Sequence, residues 1–305
     1  MRELLASDRR PVLRSLAGLL LGIGFLTVAI RRDSADIFGS SWGGGAIFVT
    51  FLIPCAILLG AGLLSPRSAT ASPWQTVYVV FGLILLPLTL AQLVNWVASE
   101  GDAGNALNIA WIFGLTALVG LYAGIVANVR YALLITALAI IVSWLGFWDQ
   151  IVSGHLGDHT TTLRWLLVII AVLLFGLGGM ARDRGSDVIT GAALAAIGAG
   201  AISFLGIYAA NPFAAVPHAN ASFFWSLELL LVSLGAIMVA AGGRARGPAY
   251  AGALGLAFFT GIVGLDLAHP ESPDGTLLGW PLALLIVGGL ALAASFRGAG
   301  GGVRS

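Results

Sequence analysis

The sequence predicts an all-α, polytopic integral membrane protein, a helical bundle of about ten transmembrane helices with both termini in the cytoplasm. Three observations carry this. The 305 residues are 58% hydrophobic and only 10% charged, and the mean hydropathy is +0.97, whereas soluble domains carry about a quarter of their residues as charges. The apolar residues fall in blocks long enough to cross a ~30 Å hydrocarbon core as helices. Arginines collect in alternate gaps between those blocks, which sets an orientation.

The blocks, in order, are 15–30, 46–64, 77–97, 106–126, 131–148, 164–181, 188–208, 222–241, 250–267 and 277–296. The first follows the basic stretch MRELLASDRRPVLR and ends in Arg31 and Arg32 with no small-x-small cleavage site, so it reads as an uncleaved first span. It is short and needs local thinning or snorkelling arginines. Pro54 and Pro87 lie inside the second and third blocks and predict kinks. From the fourth block onward the chain reads as helical hairpins repeated in the same sense. Arg130 marks one turn, Arg182-Asp183-Arg184-Gly185 the next and Arg244-Ala245-Arg246-Gly247 another, while the last block runs into Arg297-Gly298. Small residues at helical spacing, Gly120/Gly124, Gly191/Ala195 and Ala196/Gly200, predict close helix contacts. The gaps are too short to fold separately. The expected organisation is one transmembrane domain over 1–305, with a basic cytoplasmic N-terminus at 1–14 and a cytoplasmic tail at 297–305. Ten spans match the span number of drug/metabolite transporters, but none of that family's residue motifs occurs here.

With the N-terminus inside, twelve arginines fall in inner gaps and three (Arg31, Arg32 and Arg164) in outer ones. The outer gaps hold most of the acidic residues and all four histidines, and eight of the nine tryptophans lie on the outer side, in those gaps or at the outer ends of the blocks; only Trp74 is inner. An aromatic belt at one interface anchors the bundle or rims an outer vestibule. All 15 basic residues are arginine and 42 residues are glycine, a composition that suggests a GC-rich bacterium and hence its cytoplasmic membrane.

Several chemistries are excluded or unsupported. With no lysine there is no Schiff base. The lone Cys55 cannot form an internal disulfide or a cysteine metal cluster. Walker, GxSxG, HExxH and CxxCH motifs are missing, no cofactor is expected, and no basic patch suits nucleic acid. The expected partners are the lipid bilayer and a membrane-protein partner or second copy.

The candidate site residues are the polar groups that a bilayer makes expensive. Glu228 and Asp266 are the two acids within blocks, and a charge at the bilayer centre costs ~2.5–3.5 kcal/mol on insertion scales. The two belong to consecutive blocks joined by an inner turn, so both lie toward the outer leaflet. His269 follows Asp266 by three residues and shares its helical face. These three form a candidate proton or cation site; the plainer reading is a Glu228 that is protonated or bonded to a neighbouring helix and an interfacial Asp266. Gln92 and Asn95 share one face of the third block and line the same outer cavity or serve helix contacts. His155, Asp158 and His159 have metal-ligand spacing, with His218 or His269 available to complete a set, but Gly154 and Gly157 oppose a helix there and favour a solvated loop. Three functions follow: a small-solute or ion permease with an outer-leaflet acidic site, a non-transporting scaffold, sensor or assembly subunit, and an outer-face metal-dependent enzyme.

Overall fold

A computed structural model describes residues 10–34, 44–65, 71–98, 102–129, 131–152, 156–181, 185–210, 223–243 and 246–267. Every regular element among them is helical. The α-helices are α1 (Arg10–Ser34), α2 (Gly44–Leu63), α3 (Pro73–Val97), α4 (Ala106–Ile125), α5 (Ala132–Ile151), α6 (Thr160–Met180), α7 (Gly185–Ala210), α8 (Phe223–Gly243) and α9 (Arg246–Leu267). Short 3-10 turns at Asp102–Gly104 and Leu156–Asp158 precede α4 and α6.

Among the described residues seven helices, α2 through α8, are long and apolar enough to cross a membrane. The apolar run of α1 is shorter, Val12–Phe25. The block 277–296, the tail 297–305 and most of the turn arginines lie outside the described residues. The helices expose Leu118, Val172, Leu231 and Met238 on their outer faces. Side chains of that kind, spread over most of the surface, suit hydrocarbon rather than water.

Local chemistry explains the boundaries. Pro73 occupies the first turn of α3, where its missing N–H costs nothing, and the Ser72 N–H donates to Gln75 Oε1 at 2.9 Å. Between α4 and α5 the chain reverses through two residues with left-handed backbone, Asn128 (φ 58°) and Tyr131 (φ 62°). The Val129 N–H returns to the Ala123 carbonyl at 3.0 Å and closes the end of α4.

Consecutive helices pack most closely as the pairs α2/α3, α4/α5, α6/α7 and α8/α9, and α7 also packs on α5, α8 and α9. Helix α7 is the centre of the second half: 56% of its apolar window is buried, against at most 39% in any other candidate span. One core joins Ile141 of α5, Leu167 and Leu174 of α6, Ala195 and Ala199 of α7, and Trp225 of α8. A second joins Ile197 to Leu229, Phe259 and Ile262. Lipid tails are as apolar as leucine, so helices gain from close packing rather than from escape from water. Small residues supply it. A Cβ on Gly120 would lie 2.5 Å from Thr136 Oγ1, one on Gly191 would collide with Ala137 Cβ, and one on Gly252 would lie 2.5 Å from the Ser233 carbonyl oxygen. Gly120 and Gly124 both face α5, and Gly191 meets α5 as well, while Gly200 meets α8.

The Gly252 contact is with backbone and cannot be relieved by a rotamer change. Gly252→Ala is expected to lower stability by about 1–3 kcal/mol. Gly60→Ala, at a position with nothing within 4 Å, should leave the unfolding midpoint in detergent unchanged or raised.

Candidate functional site: a charge pair in an aromatic cage

Glu228 sits in the second turn of α8, three residues after Trp225 and on the same helical face. Arg164 sits in the second turn of α6 and is 9% exposed, about as buried as Trp225 at 8%. The Arg164 guanidinium carbon lies 4.9 Å from the Trp225 ring centroid, within cation–π range. The same guanidinium and the Glu228 carboxylate attract each other electrostatically. The half-buried Glu228 turns Oε2 toward α7, where a Cβ on Gly200 would come within 2.7 Å of it. That oxygen is buried and has no hydrogen-bond partner among the described residues. Three helices therefore build the site: α6 brings the cation, α8 the acid and the indole, and α7 the close approach.

Further aromatic rings pack on Trp225. Trp165 meets Trp225 edge-on at 5.7 Å, and Phe224 meets Trp225 at 5.1 Å. Trp144 of α5 donates its indole N–H to the Leu166 carbonyl at 3.2 Å and packs on Trp148 at 5.6 Å. Trp144 also packs against the core that contains Trp225. Trp74 belongs elsewhere: Arg14 of α1 stacks on it at 5.6 Å, so the starts of α1 and α3 lie together.

Arg164 is the correction to the sequence reading. It was expected at the outer edge, as the first residue of the sixth block and counted with the outer-gap arginines, and only Glu228 and Asp266 were expected as ionisable groups within spans. Instead α6 begins at Thr160, a turn earlier than hydropathy suggested, and carries Arg164 into the bundle. The signal was present: an arginine against the charge bias, in the same leaflet as an unpaired acid.

The other candidates do not converge on Glu228 in the described residues. Asp266 lies in the last turn of α9, but its side chain and all of His269 fall outside the described residues. Gln92 and Asn95 belong to α3, which packs chiefly on α1, α2, α4 and α5, whereas α8 packs on α7 and α9. Asn95 Oδ1 accepts the Ala103 N–H at 3.3 Å and so holds the turn before α4. His155 and His218 lie outside the described residues, as does the side chain of Asp158. His159 is exposed at the start of α6, and Asp149 accepts the Leu156 N–H at 2.9 Å. Among the described residues no three His, Cys, Asp or Glu side chains are placed to hold a metal ion.

A groove of about 560 Å³ runs between α4 and α5, lined by Trp111, Gly114, Leu118, Ile140, Trp144 and Phe147 among others. Its hydroxyls are already engaged: Thr136 donates to the Ala132 carbonyl at 2.8 Å and Ser143 to the Ala110 carbonyl at 2.7 Å. Neither Arg164 nor Glu228 lines it. Comparison with known protein families, curated proteins and solved structures finds no match to this chain.

Removing one member of a buried pair strands the other, at a cost of about 3–5 kcal/mol. Glu228→Leu is expected to destabilise the bundle by that order, and the double variant Arg164→Leu/Glu228→Leu should regain most of the loss. Thermal unfolding of the four proteins in one detergent gives the coupling energy. Additive losses would show that the two groups act independently.

Proposed function

We propose that this chain is a ten-span permease for a small solute or ion, with both termini inside, in a bacterial cytoplasmic membrane. Its ion-responsive element is the Arg164–Glu228 pair. The observation that carries the reading is an ionisable acid in the second turn of an apolar helix, electrostatically coupled to a buried arginine. Ionisable groups inside membrane segments are costly and mark ion or proton pathways. The inner bias of the arginines supports the orientation. Asp266 and His269 remain candidate members of the site because their block follows that of Glu228 and turns back toward the same leaflet.

In this reading, neutralising Glu228 by a proton or a bound cation removes the partner of Arg164. The guanidinium is then buried without a counter-charge, and the long arginine stem lets it swing toward the interface. The α6–α8 contact loosens as it goes. One event at the carboxylate is thus linked to a movement between helices.

A second reading, a non-transporting scaffold or assembly subunit, is favoured by the dry glycine contacts between helices and by a groove that offers lipid an apolar wall. Proteoliposomes loaded with a pH-sensitive dye separate the two. A panel of amino acids, sugars and small cations is expected to include a solute that evokes proton flux above empty liposomes. Glu228→Gln should abolish that flux. The charge-balanced Arg164→Gln/Glu228→Gln variant should abolish it too, with insertion unchanged. Flux that survives in the double variant would refute the role of the pair, and no evoked flux at all would favour the scaffold.

A further inference from the structure

Arg164 lies against a surface that has the elements of an organic-cation site. One wall is the Trp225 indole face, with the guanidinium carbon 4.9 Å above the ring centroid. The counter-charge is Glu228, on the same face of α8 as Trp225. The floor is Gly200, whose missing side chain leaves room for the carboxylate against α7. A buried indole face beside a carboxylate is the arrangement that recognises guanidinium and quaternary ammonium groups, because the ring quadrupole attracts a cation that sheds its water cheaply. Sodium or potassium gains less there, since the indole supplies no oxygen ligands for a hard cation.

We propose that the Trp225–Glu228 surface is a binding site for small organic cations of the guanidinium or quaternary ammonium class, and that Arg164 is its tethered resident ligand. This rests on the permease reading for its purpose, since it names the class of solute, but the binding itself stands on the geometry of the site. Arg164 lies near the start of α6 on a long flexible stem, so it can leave toward the interface while an incoming cation takes its place. Charge balance is kept in the binding step, because one monocation replaces another opposite Glu228. Gly200 is a positioning residue here, because any side chain at that point would displace the carboxylate oxygen from its place beside α7.

The test is calorimetric titration of the full chain in nanodiscs of zwitterionic lipid, with methylguanidinium and tetramethylammonium chlorides as probes. Sodium chloride serves as the ionic-strength control and 3,3-dimethyl-1-butanol as a neutral probe of similar bulk. The wild type is expected to bind both organic cations saturably and neither control. Arg164→Gln should bind them more tightly, because the competing guanidinium is gone. Glu228→Gln should weaken binding by about 30-fold or more, as expected for loss of a buried counter-charge. Trp225→Leu, which leaves the charge pair intact, should weaken it by about tenfold and keeps the test decisive if Glu228→Gln does not fold. No saturable binding to the wild type overturns the proposal. So does binding confined to Arg164→Gln, which would mean that the arginine fills a slot closed to solutes, and so does equal binding by the Trp225→Leu protein. Cation binding without solute-evoked flux would sink the permease reading and leave the site standing. Flux without cation binding would do the reverse.

Discussion

The low dielectric of the hydrocarbon core is the constraint from which the arrangement of this bundle follows. A charge there has little water to stabilise it, so it must be moved to an interface, neutralised or paired. Arg67, Arg130, Arg182, Arg184 and Arg244 fall in the sequence between helices, as the first route would have it. Arg164 and Glu228 take the third. Their attraction joins α6 to α8 across α7, and the Trp225 face gives the guanidinium a second partner. The pairing is electrostatic and leaves Glu228 Oε2 without a hydrogen bond among the described residues.

That pairing requires backbones to approach closely, and close approach is what the small residues of α7 provide. Helix α7 meets α5 at Gly191 and α8 at Gly200. A helix of bulky residues would hold α8 further away, and Glu228 could not lie against it. The glycine content noted as a compositional bias therefore has a mechanical use at particular positions. At others it has none: Gly60, Gly176 and Gly235 have nothing within 4 Å of a built Cβ.

The charge pair and the groove between α4 and α5 divide the surface of the protein into two kinds of site. The groove is apolar and its hydroxyls are spent on backbone carbonyls, so it offers shape and little else. The Arg164–Glu228 site offers charge, an aromatic face and a movable occupant. The first suits lipid tails. The second has the features that a responsive element needs, because its two charges hold one another only while both are present.

Hydrophobic periodicity and arginine placement made the helices legible, because block length and charge are local properties of the chain. Each described helix falls within a few residues of a predicted block, and the exposed leucines and valines agree with a lipid-facing surface. The cost of Glu228 could also be read directly, since it interrupts an apolar run. What could not be read was its partner. Arg164 is 64 residues away in sequence, and hydropathy alone left it at the edge of its block because an arginine lowers the average of any stretch that contains it. Gln92 and Asn95 share a helical face by spacing, yet spacing says nothing of which neighbour that face meets; the packing sends α3 toward α4 and α5 instead of α8. Sequence by itself determined that this chain makes apolar helices and where their costly polar groups lie. Only the tertiary structure decided which helices touch, and so which charges meet, because contacts between distant segments depend on the shapes of whole helix faces rather than on any local run of residues.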